Sequence, residues 1–130
     1  MIRLAALFLV GFIPACQADE TVAGYGGSEK TWVLAELDGA SFSASATMTF
    51  PEPGRVAGKA PCNNYSGEMS VPYPWFEVGP LMATRMACPD LDQEVAFFAA
   101  LSEMTLAEVL GDILILRNDA GREMVFKSGD

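Results

Sequence analysis

From position 30 onward, most of the chain consists of short segments in which apolar and polar residues alternate. Turn residues interrupt these segments, most clearly PEPG at residues 51–54 and NDAG at residues 118–121. Alternation of this kind, bounded by Gly and Pro, is typical of β-strands joined by tight turns. The pattern predicts strands at residues 31–35, 45–50, 55–60, 65–71, 75–78, 106–110, 112–117 and 123–127.

Residues 90–104 show a different pattern, with no Gly or Pro and with apolar side chains at helical spacing. Asp90 is a natural N-cap, and Gln93 three residues later predicts a capping box. On a helical wheel the apolar residues form one broad arc that we expect to pack on the sheet. The arc consists of Leu91, Val95, Phe97, Phe98, Leu101 and Met104. The chain therefore has the pattern of an α+β fold with one packed helix.

Glu94 falls inside this apolar arc, between Leu101 and Phe98 on the wheel. A carboxylate among buried apolar side chains must be hydrogen-bonded, because an unpartnered one is strongly destabilising. We therefore expect Glu94 to accept hydrogen bonds from residues 63–65 or residues 84–85.

An apolar segment near the N-terminus predicts that the chain is exported. Residues 4–13 are almost purely apolar and follow Arg3, but they are too few to span a membrane. Residues 13–16 (IPAC) resemble the lipobox of bacterial lipoproteins, which implies a lipoprotein-type signal peptide at residues 1–15 and a lipid on Cys16. The alternative is cleavage after Ala18, which would release a soluble periplasmic protein.

The residues after Cys16 indicate which membrane holds the protein and how the lipidated cysteine is connected to the folded domain. Gln17, rather than Asp, follows the cysteine, so we expect an anchor on the periplasmic side of the outer membrane. Residues 16–29 are polar and rich in Gly, which predicts a flexible tether. A single domain then spans residues 30–128.

Composition narrows the chemistry further. The 130 residues include 17 acidic and 8 basic side chains, for a formal charge of −9, and no basic run is visible. Nucleic acid is therefore a disfavoured partner. The absence of histidine excludes Ser–His and Cys–His nucleophiles and His-ligated zinc. We expect no catalytic residue set, no metal site and no cofactor.

Two cysteines, Cys62 and Cys88, remain after Cys16. In an exported chain such a pair suggests a disulfide. Two buried free thiols are the alternative. A redox-catalytic pair is a third interpretation, with Arg85 as the only nearby group that would lower a thiol pKa.

Several segments resemble the META domain, also called the HslJ-like domain. Residues 60–67 (APCNNYSG) resemble its Gly-Cys-Asn-x-Tyr-x-Gly motif, and residues 84–89 (TRMACP) resemble its second motif, which the helix with Glu94 and Leu101 follows. The other matches are Trp32, Leu34, Leu37 and Gly39 in the first strand, Gly58 as the central glycine, and Gly111, Asp112, Leu114 and Leu116 in the closing hairpin. The resemblance covers about residues 30–127.

This resemblance implies a curled, mainly antiparallel sheet, a partial β-barrel, with one helix packed against it. Bacterial members are commonly small envelope lipoproteins, and the founding member is tied to heat shock and to novobiocin tolerance. The fold is likened to a secretin-pilot lipoprotein that holds a lipid tail. No enzymatic activity is established for the family.

The motif residues are expected to form a cross-linked cluster, which we call the knot. In this interpretation Cys62 and Cys88 join two loops, and hydrogen bonds tie them together; the motif residues are Asn63, Tyr65, Gly67, Thr84, Arg85 and Glu94. The knot would also shape a recognition surface, because aromatic residues and Arg are enriched at binding hot spots. The expected contacts are Arg85, Tyr65, Tyr73 and Trp75, although core packing explains Trp75 equally well.

Three functional hypotheses follow. The first is a monomeric, non-enzymatic envelope lipoprotein, held on the membrane by its lipid, with an envelope-stress or accessory role through a protein partner. The second is a module that binds a small apolar ligand such as an acyl chain inside the sheet, where small side chains would leave room: Ala44, Ala46, Ala57 and Ala60. The third is a thiol-based redox enzyme that uses Cys62 or Cys88.

Overall fold

The computed structural model describes residues 19–129, so the predicted signal peptide and Cys16 lie outside the described residues. Within that range the chain forms a short 3₁₀ helix, nine strands and one α-helix. Their bounds are Val22–Tyr25 for the 3₁₀ helix, then β1 Trp32–Leu37, β2 Ala40–Ser41, β3 Thr47–Met48, β4 Arg55–Lys59, β5 Asn64–Glu68, β6 Met82–Ala83, α1 Leu91–Glu103, β7 Leu106–Leu110, β8 Ile113–Arg117 and β9 Glu123–Ser128.

The strands form a curled antiparallel ribbon. The larger sheet has the order β2-β1-β9-β8-β7, with β3 also paired to β1, and the smaller sheet has the order β4-β5-β6. An antiparallel bridge between Thr49 and Ala57 links the two sheets. The ribbon does not close into a barrel. The predicted α+β fold with a curled, mainly antiparallel sheet is therefore confirmed.

The core lies between the inner face of the larger sheet and the helix. Alternate residues of β1, β8 and β9 point inward, as the period of a strand requires. They are at most 4% exposed: Trp32, Leu34, Leu114, Leu116, Met124 and Phe126. The apolar run in β8 is explained by its place between β7 and β9, with Ile113 and Ile115 on the outer face of the sheet.

Helix α1 packs on the core, but its buried face is rotated by about 60° from the predicted arc. Its buried residues are Glu94, Phe97, Ala100 and Leu101. Leu91 and Val95 are 40% and 61% exposed, so the prediction was wrong for these two. The observed face centres near Phe97 and extends to Ala100, so Glu94 lies at its edge, and Leu91 and Val95, beyond Glu94, face solvent.

The predicted capping box is also wrong. Asp90 occupies the N-cap position, but its side chain makes no capping hydrogen bond. The backbone starts the helix instead, because the Leu91 N–H donates to the Cys88 carbonyl at 3.1 Å. The disulfide of Cys88 therefore takes part in setting where the helix begins.

The predicted flexible tether is contradicted over its described part. Val22 is fully buried and Ala23 is 4% exposed. The Trp32 indole donates to the Gly27 carbonyl at 3.0 Å, and the Tyr25 ring stacks on Tyr73 at 4.7 Å. Glycine here serves close packing rather than flexibility. A Cβ on Gly27, for example, would lie 2.7 Å from the Val22 carbonyl oxygen.

The predicted strand at residues 75–78 is reduced to one antiparallel bridge, between Trp75 and Leu106. Pro72 and Pro74 precede it, and proline donates no hydrogen bond to a sheet. Phe76 and Val78 are nevertheless buried, so the segment covers the core as a loop. No helix within residues 19–129 has the length and apolar character needed to cross a bilayer.

Candidate functional site

The predicted disulfide is confirmed. Cys62 and Cys88 are bonded, with their Cα atoms 5.6 Å apart, inside the usual range for a disulfide. Cys62 lies in the turn between β4 and β5, and Cys88 lies three residues before helix α1. The bond therefore fixes the β4–β5 turn beside the start of the helix.

Asn63 is the centre of the knot. Its side-chain amide donates to the Met86 carbonyl at 3.0 Å and to Glu94 Oε2 at 2.7 Å. Its carbonyl oxygen accepts from the Thr84 hydroxyl at 2.9 Å and from the Met86 N–H at 2.6 Å. An asparagine amide has two donors and two acceptor lone pairs. All four are used, and the side chain is buried.

Glu94 accepts the hydrogen bonds that its position on the wheel demanded. Besides the bond from Asn63, its Oε1 accepts from the Cys62 N–H at 3.0 Å. Asn63 belongs to the predicted donor segment, whereas the Cys62 N–H was not predicted. At 4% exposure, Glu94 is a buried carboxylate held by two donors. It ties helix α1 to the same turn that the disulfide fixes.

Thr84 connects the segment after β6 to the turn between β4 and β5. Its backbone N–H donates to the Asn64 carbonyl at 3.1 Å, and its hydroxyl accepts from the Asn64 N–H at 3.2 Å. The hydroxyl then donates to Asn63, as described above. Thr84 thereby continues the pairing of β5 with β6 by one residue.

Tyr65, two residues after Asn63, anchors this region in the hydrophobic core. It is 4% exposed and its ring meets Phe97 and Phe98 edge-on, each at 5.5 Å. Its hydroxyl donates to the Thr47 carbonyl at 2.7 Å, and burial raises the pKa of this phenol well above its ordinary value. The prediction that Tyr65 contacts a partner is wrong, because the core covers it.

Two glycines of the resemblance stand in close contacts. A Cβ on Gly58 would overlap the Thr47 carbonyl oxygen and lie 3.0 Å from the Tyr65 hydroxyl. Gly67 is buried, and a Cβ there would lie 2.9 Å from the end of the Leu81 side chain. Gly58 therefore permits β3 and β4 to approach, while the contact at Gly67 involves a flexible side chain.

The remaining predicted contact residues are separated by the fold. Arg85 is exposed and follows β6 at one end of the ribbon. Trp75 is 58% exposed but is bridged to Leu106 on β7, at the other end. Tyr73 is half-buried, and its hydroxyl accepts from the Val109 N–H at 3.1 Å. In the order of paired strands, Tyr73 and Trp75 thus lie at the opposite end from Arg85.

Two exposed methionines near Arg85 were not predicted. Met82 is 69% exposed and Met86 is 60% exposed. Apolar residues in alternating segments are expected inside a fold, so neither was predicted at the surface. Only the position of Met86, one residue after Arg85 and two before Cys88, could have suggested it.

Side chains fill the interior of the curled sheet. Ala46 is fully buried and Ala60 is 7% exposed, and both belong to the same buried cluster as Met48, Val56 and Phe97. The other two small residues of the acyl-chain hypothesis, Ala44 and Ala57, are half-buried. The small side chains thus serve packing in the described part of the chain.

The fold and the knot together define a class of protein: a small α+β domain whose open, curled sheet is braced by a disulfide and by a buried Asn–Glu pair. The family model of the META domain matches residues 27–130. The chain belongs to the META domain family.

Solved structures agree with this fold. A protein from Burkholderia xenovorans, solved by NMR, superposes with a TM-score of 0.66 at 24% identity, covering 83% of this chain and 87% of that one. A DUF4847 family protein from Bacteroides vulgatus ATCC 8482 superposes with a TM-score of 0.64 at 12% identity, covering 82% and 96%. No curated protein matches the chain. At these identities the likeness concerns the fold alone.

Proposed function

We propose that the protein is an exported, lipid-anchored META domain that binds a protein partner in the cell envelope, with an accessory or envelope-stress role and without enzymatic chemistry. The partner binds the recognition loop, which we define as residues 82–87. The observation that carries the proposal is the way in which Asn63 holds this loop.

Three of the four Asn63 hydrogen bonds go to the recognition loop, two of them to the backbone of Met86. The disulfide at Cys88 restrains the far end of the loop, and Thr84 pairs with Asn64 near its middle. A loop held at so many points loses little conformational entropy when it binds. Preorganisation of this kind favours affinity.

The side chains that the recognition loop exposes have the character of an interface. Met82, Arg85 and Met86 all face solvent, and Arg85 is in no ion pair with a described residue. Met and Arg are enriched at protein–protein interfaces, and Met adapts its shape to a partner. Leu91 and Val95, in the first two turns of helix α1, are exposed as well.

The absence of enzymatic chemistry in this proposal is supported by the bonding of both sulfurs. Cys62 and Cys88 are joined to each other, so neither presents a thiolate for catalysis. Native, unreduced protein treated with a maleimide should show no label on either residue. Labelling of both residues would favour the thiol-enzyme hypothesis instead.

The location rests on the sequence around Cys16. Intact mass spectrometry of protein extracted from membranes tests it directly. The expected mass is that of residues 16–130 plus acyl chains. An unmodified product that starts at Asp19 would make this a free periplasmic domain, and it would leave the proposed binding loop unaffected.

A photo-crosslinking residue at position 85 tests the partner. Irradiation of intact cells should give a discrete adduct, which mass spectrometry then identifies. Two changes, Met82→Ser and Met86→Ser, should weaken the adduct at least fivefold, because they remove the apolar contact on either side of position 85.

Lys127 offers the matched control position. It is also an exposed base in no ion pair with a described residue, but it lies on β9 in the larger sheet. The crosslinker there should give no adduct of the same mass. The same adduct from both positions, or none from position 85 in cells that express the folded protein, would contradict the proposed binding surface.

A further inference from the structure

A second surface feature lies apart from the recognition loop. An open cleft of about 610 Å³ lies between the loop that carries Trp75 and the C-terminal end of helix α1. Its volume falls in the range of about 300–1,000 Å³ that small-molecule sites occupy. Its lining includes Trp75, Phe76, Glu77, Ser102, Thr105 and Asp119.

Trp75 is held rigidly although its side chain is 58% exposed. The backbone N–H of Trp75 donates to the Pro72 carbonyl at 2.9 Å, and the backbone N–H of Phe76 donates to the Thr105 carbonyl at 2.8 Å. The Phe76 side chain is 1% exposed and anchors the segment in the core. The indole is therefore presented to solvent by a fixed backbone, and the packing of the core does not require it there.

The charge of the cleft is one-sided. Glu77 and Asp119 both line it, and neither forms an ion pair or a side-chain hydrogen bond with a described residue. No Lys or Arg is among its lining residues. The face of an indole attracts cations through its quadrupole. Two unpaired carboxylates beside it add to that attraction, and they disfavour an anionic ligand.

We propose that this cleft, the Trp75 cleft, binds an organic ammonium ion, with the alkylated nitrogen over the Trp75 ring and Glu77 and Asp119 as its counter-charges. Methylated ammonium groups fit this combination best, because they are weakly hydrated and apolar at their surface. The site is independent of the recognition loop and of any lipid on Cys16.

The test compares choline with its neutral isostere, 3,3-dimethylbutan-1-ol, which has the same shape without the charge. The probe is the indole N–H signal of Trp75 in NMR spectra of the oxidised protein. Trp32 serves as an internal reference, because its indole is buried and bonded to Gly27. Choline should shift the Trp75 signal saturably and leave that of Trp32 unchanged, and the isostere should bind at least fivefold more weakly.

Variants identify the groups that bind. Trp75→Ala should abolish saturable choline binding, followed through the other signals of the cleft, and Glu77→Gln with Asp119→Asn should weaken it at least threefold. The matched control, Glu68→Gln with Asp92→Asn, removes two exposed carboxylates outside the cleft and should leave the affinity unchanged.

Phosphatidylcholine vesicles, titrated against the same signal, distinguish two sources of the ammonium group. Binding of free choline supports a soluble ligand, and binding of vesicles alone supports a lipid headgroup. Equal affinity for choline and the neutral isostere would overturn the proposal, as would an equal loss of affinity in the two carboxylate variants. An unmoved Trp75 signal with every probe would also overturn it.

Discussion

Asn63 shows how a single buried side chain can organise three segments of a chain. Its amide has two donors and two acceptors in one plane, and here they reach the recognition loop and helix α1 at once. A buried network is stabilising when every member is satisfied and costly when one is not. Within residues 19–129, no buried side-chain polar atom lacks a partner.

Glu94→Gln should expose this dependence. The amide nitrogen of the glutamine would face the donor of either Asn63 or Cys62, so one buried donor would lose its acceptor. We expect the free energy of unfolding to fall by about 1–3 kcal/mol, measured by urea denaturation of the oxidised protein. Glu103→Gln is the control, because this exposed residue of the same helix forms only a surface ion pair, with Arg122. An equal loss in both variants would contradict the role of the buried network.

Asp38 makes a separate contribution that depends on pH. Hydrogen bonds from Arg122 and from the Glu123 N–H hold the pKa of Asp38 below its ordinary value. A carboxyl whose pKa is lower in the folded state stabilises the fold fully above its unfolded pKa. That contribution is then lost as the pH falls through the folded pKa.

Asp38→Asn should therefore reduce stability near neutral pH, by about 0.5–1 kcal/mol for so exposed a pair. The difference from the parent protein should shrink as the pH falls below the ordinary pKa of an aspartate and through the lowered pKa of Asp38. Asn suits this position, because Asp38 has a positive φ of 52°, which Asn also tolerates. Urea denaturation at a series of pH values measures the effect. A difference that persists unchanged at low pH would show that the ion pair is not its cause.

At the scale of elements, the strands were better predicted than the orientation of the helix. Alternation and turn residues located β1, β4, β5 and the β7–β8–β9 meander. In a strand with one buried face, every second residue is apolar, so the sequence shows the strand directly. A helical wheel weighs only hydrophobicity. It therefore centred the buried face near Glu94, with Leu91 and Val95 inward, whereas the observed face centres near Phe97 and includes Ala100.

At Gly58 a substitution should disturb the contact between two elements, β3 and β4. Gly58→Ala would place a Cβ against the Thr47 carbonyl and force β3 and β4 apart. We expect a loss of about 1–3 kcal/mol in the free energy of unfolding, as for overpacking elsewhere in a core.

Gly79→Ala provides the comparison for this variant. Its Cβ would lie 3.7 Å from the Glu68 Cβ, an ordinary contact. Its stability should stay within about 0.5 kcal/mol of the parent or rise slightly, since alanine restricts the unfolded chain. Urea denaturation of both variants decides whether the approach of β3 to β4 or the loss of glycine itself matters.

For the whole molecule, composition, cysteine count and family resemblance led to the curled sheet and the disulfide. They failed at the N-terminal side of the domain, where Gly-rich sequence suggested a tether. Glycine is ambiguous in this respect, because it serves both flexible linkers and close backbone packing. The surface assignments failed for a related reason: sequence does not tell which apolar residues, such as Met82 or Trp75, remain outside.

Truncation tests the N-terminal boundary. A chain that begins at Asp19 should be as stable as the mature protein, whereas one that begins at Thr31 should lose at least about 2 kcal/mol. The loss reflects the burial of Val22 and Ala23 and the stacking of Tyr25 on Tyr73. Urea denaturation of both chains, with the disulfide intact, gives the comparison. Equal stability would restore residues 19–29 to the status of a linker.

The early onset of packing has a consequence at the bilayer. Within residues 19–129 the first buried residue is Thr21, which is 8% exposed and lies five positions after Cys16. Five residues reach about 17 Å at full extension. With the proposed lipid on Cys16, the segment between the lipid and the first buried residue is thus shorter than the domain is wide. The domain would therefore stay in contact with the lipid headgroups and could not move far into the periplasm. Whatever it meets there has to come to the membrane plane.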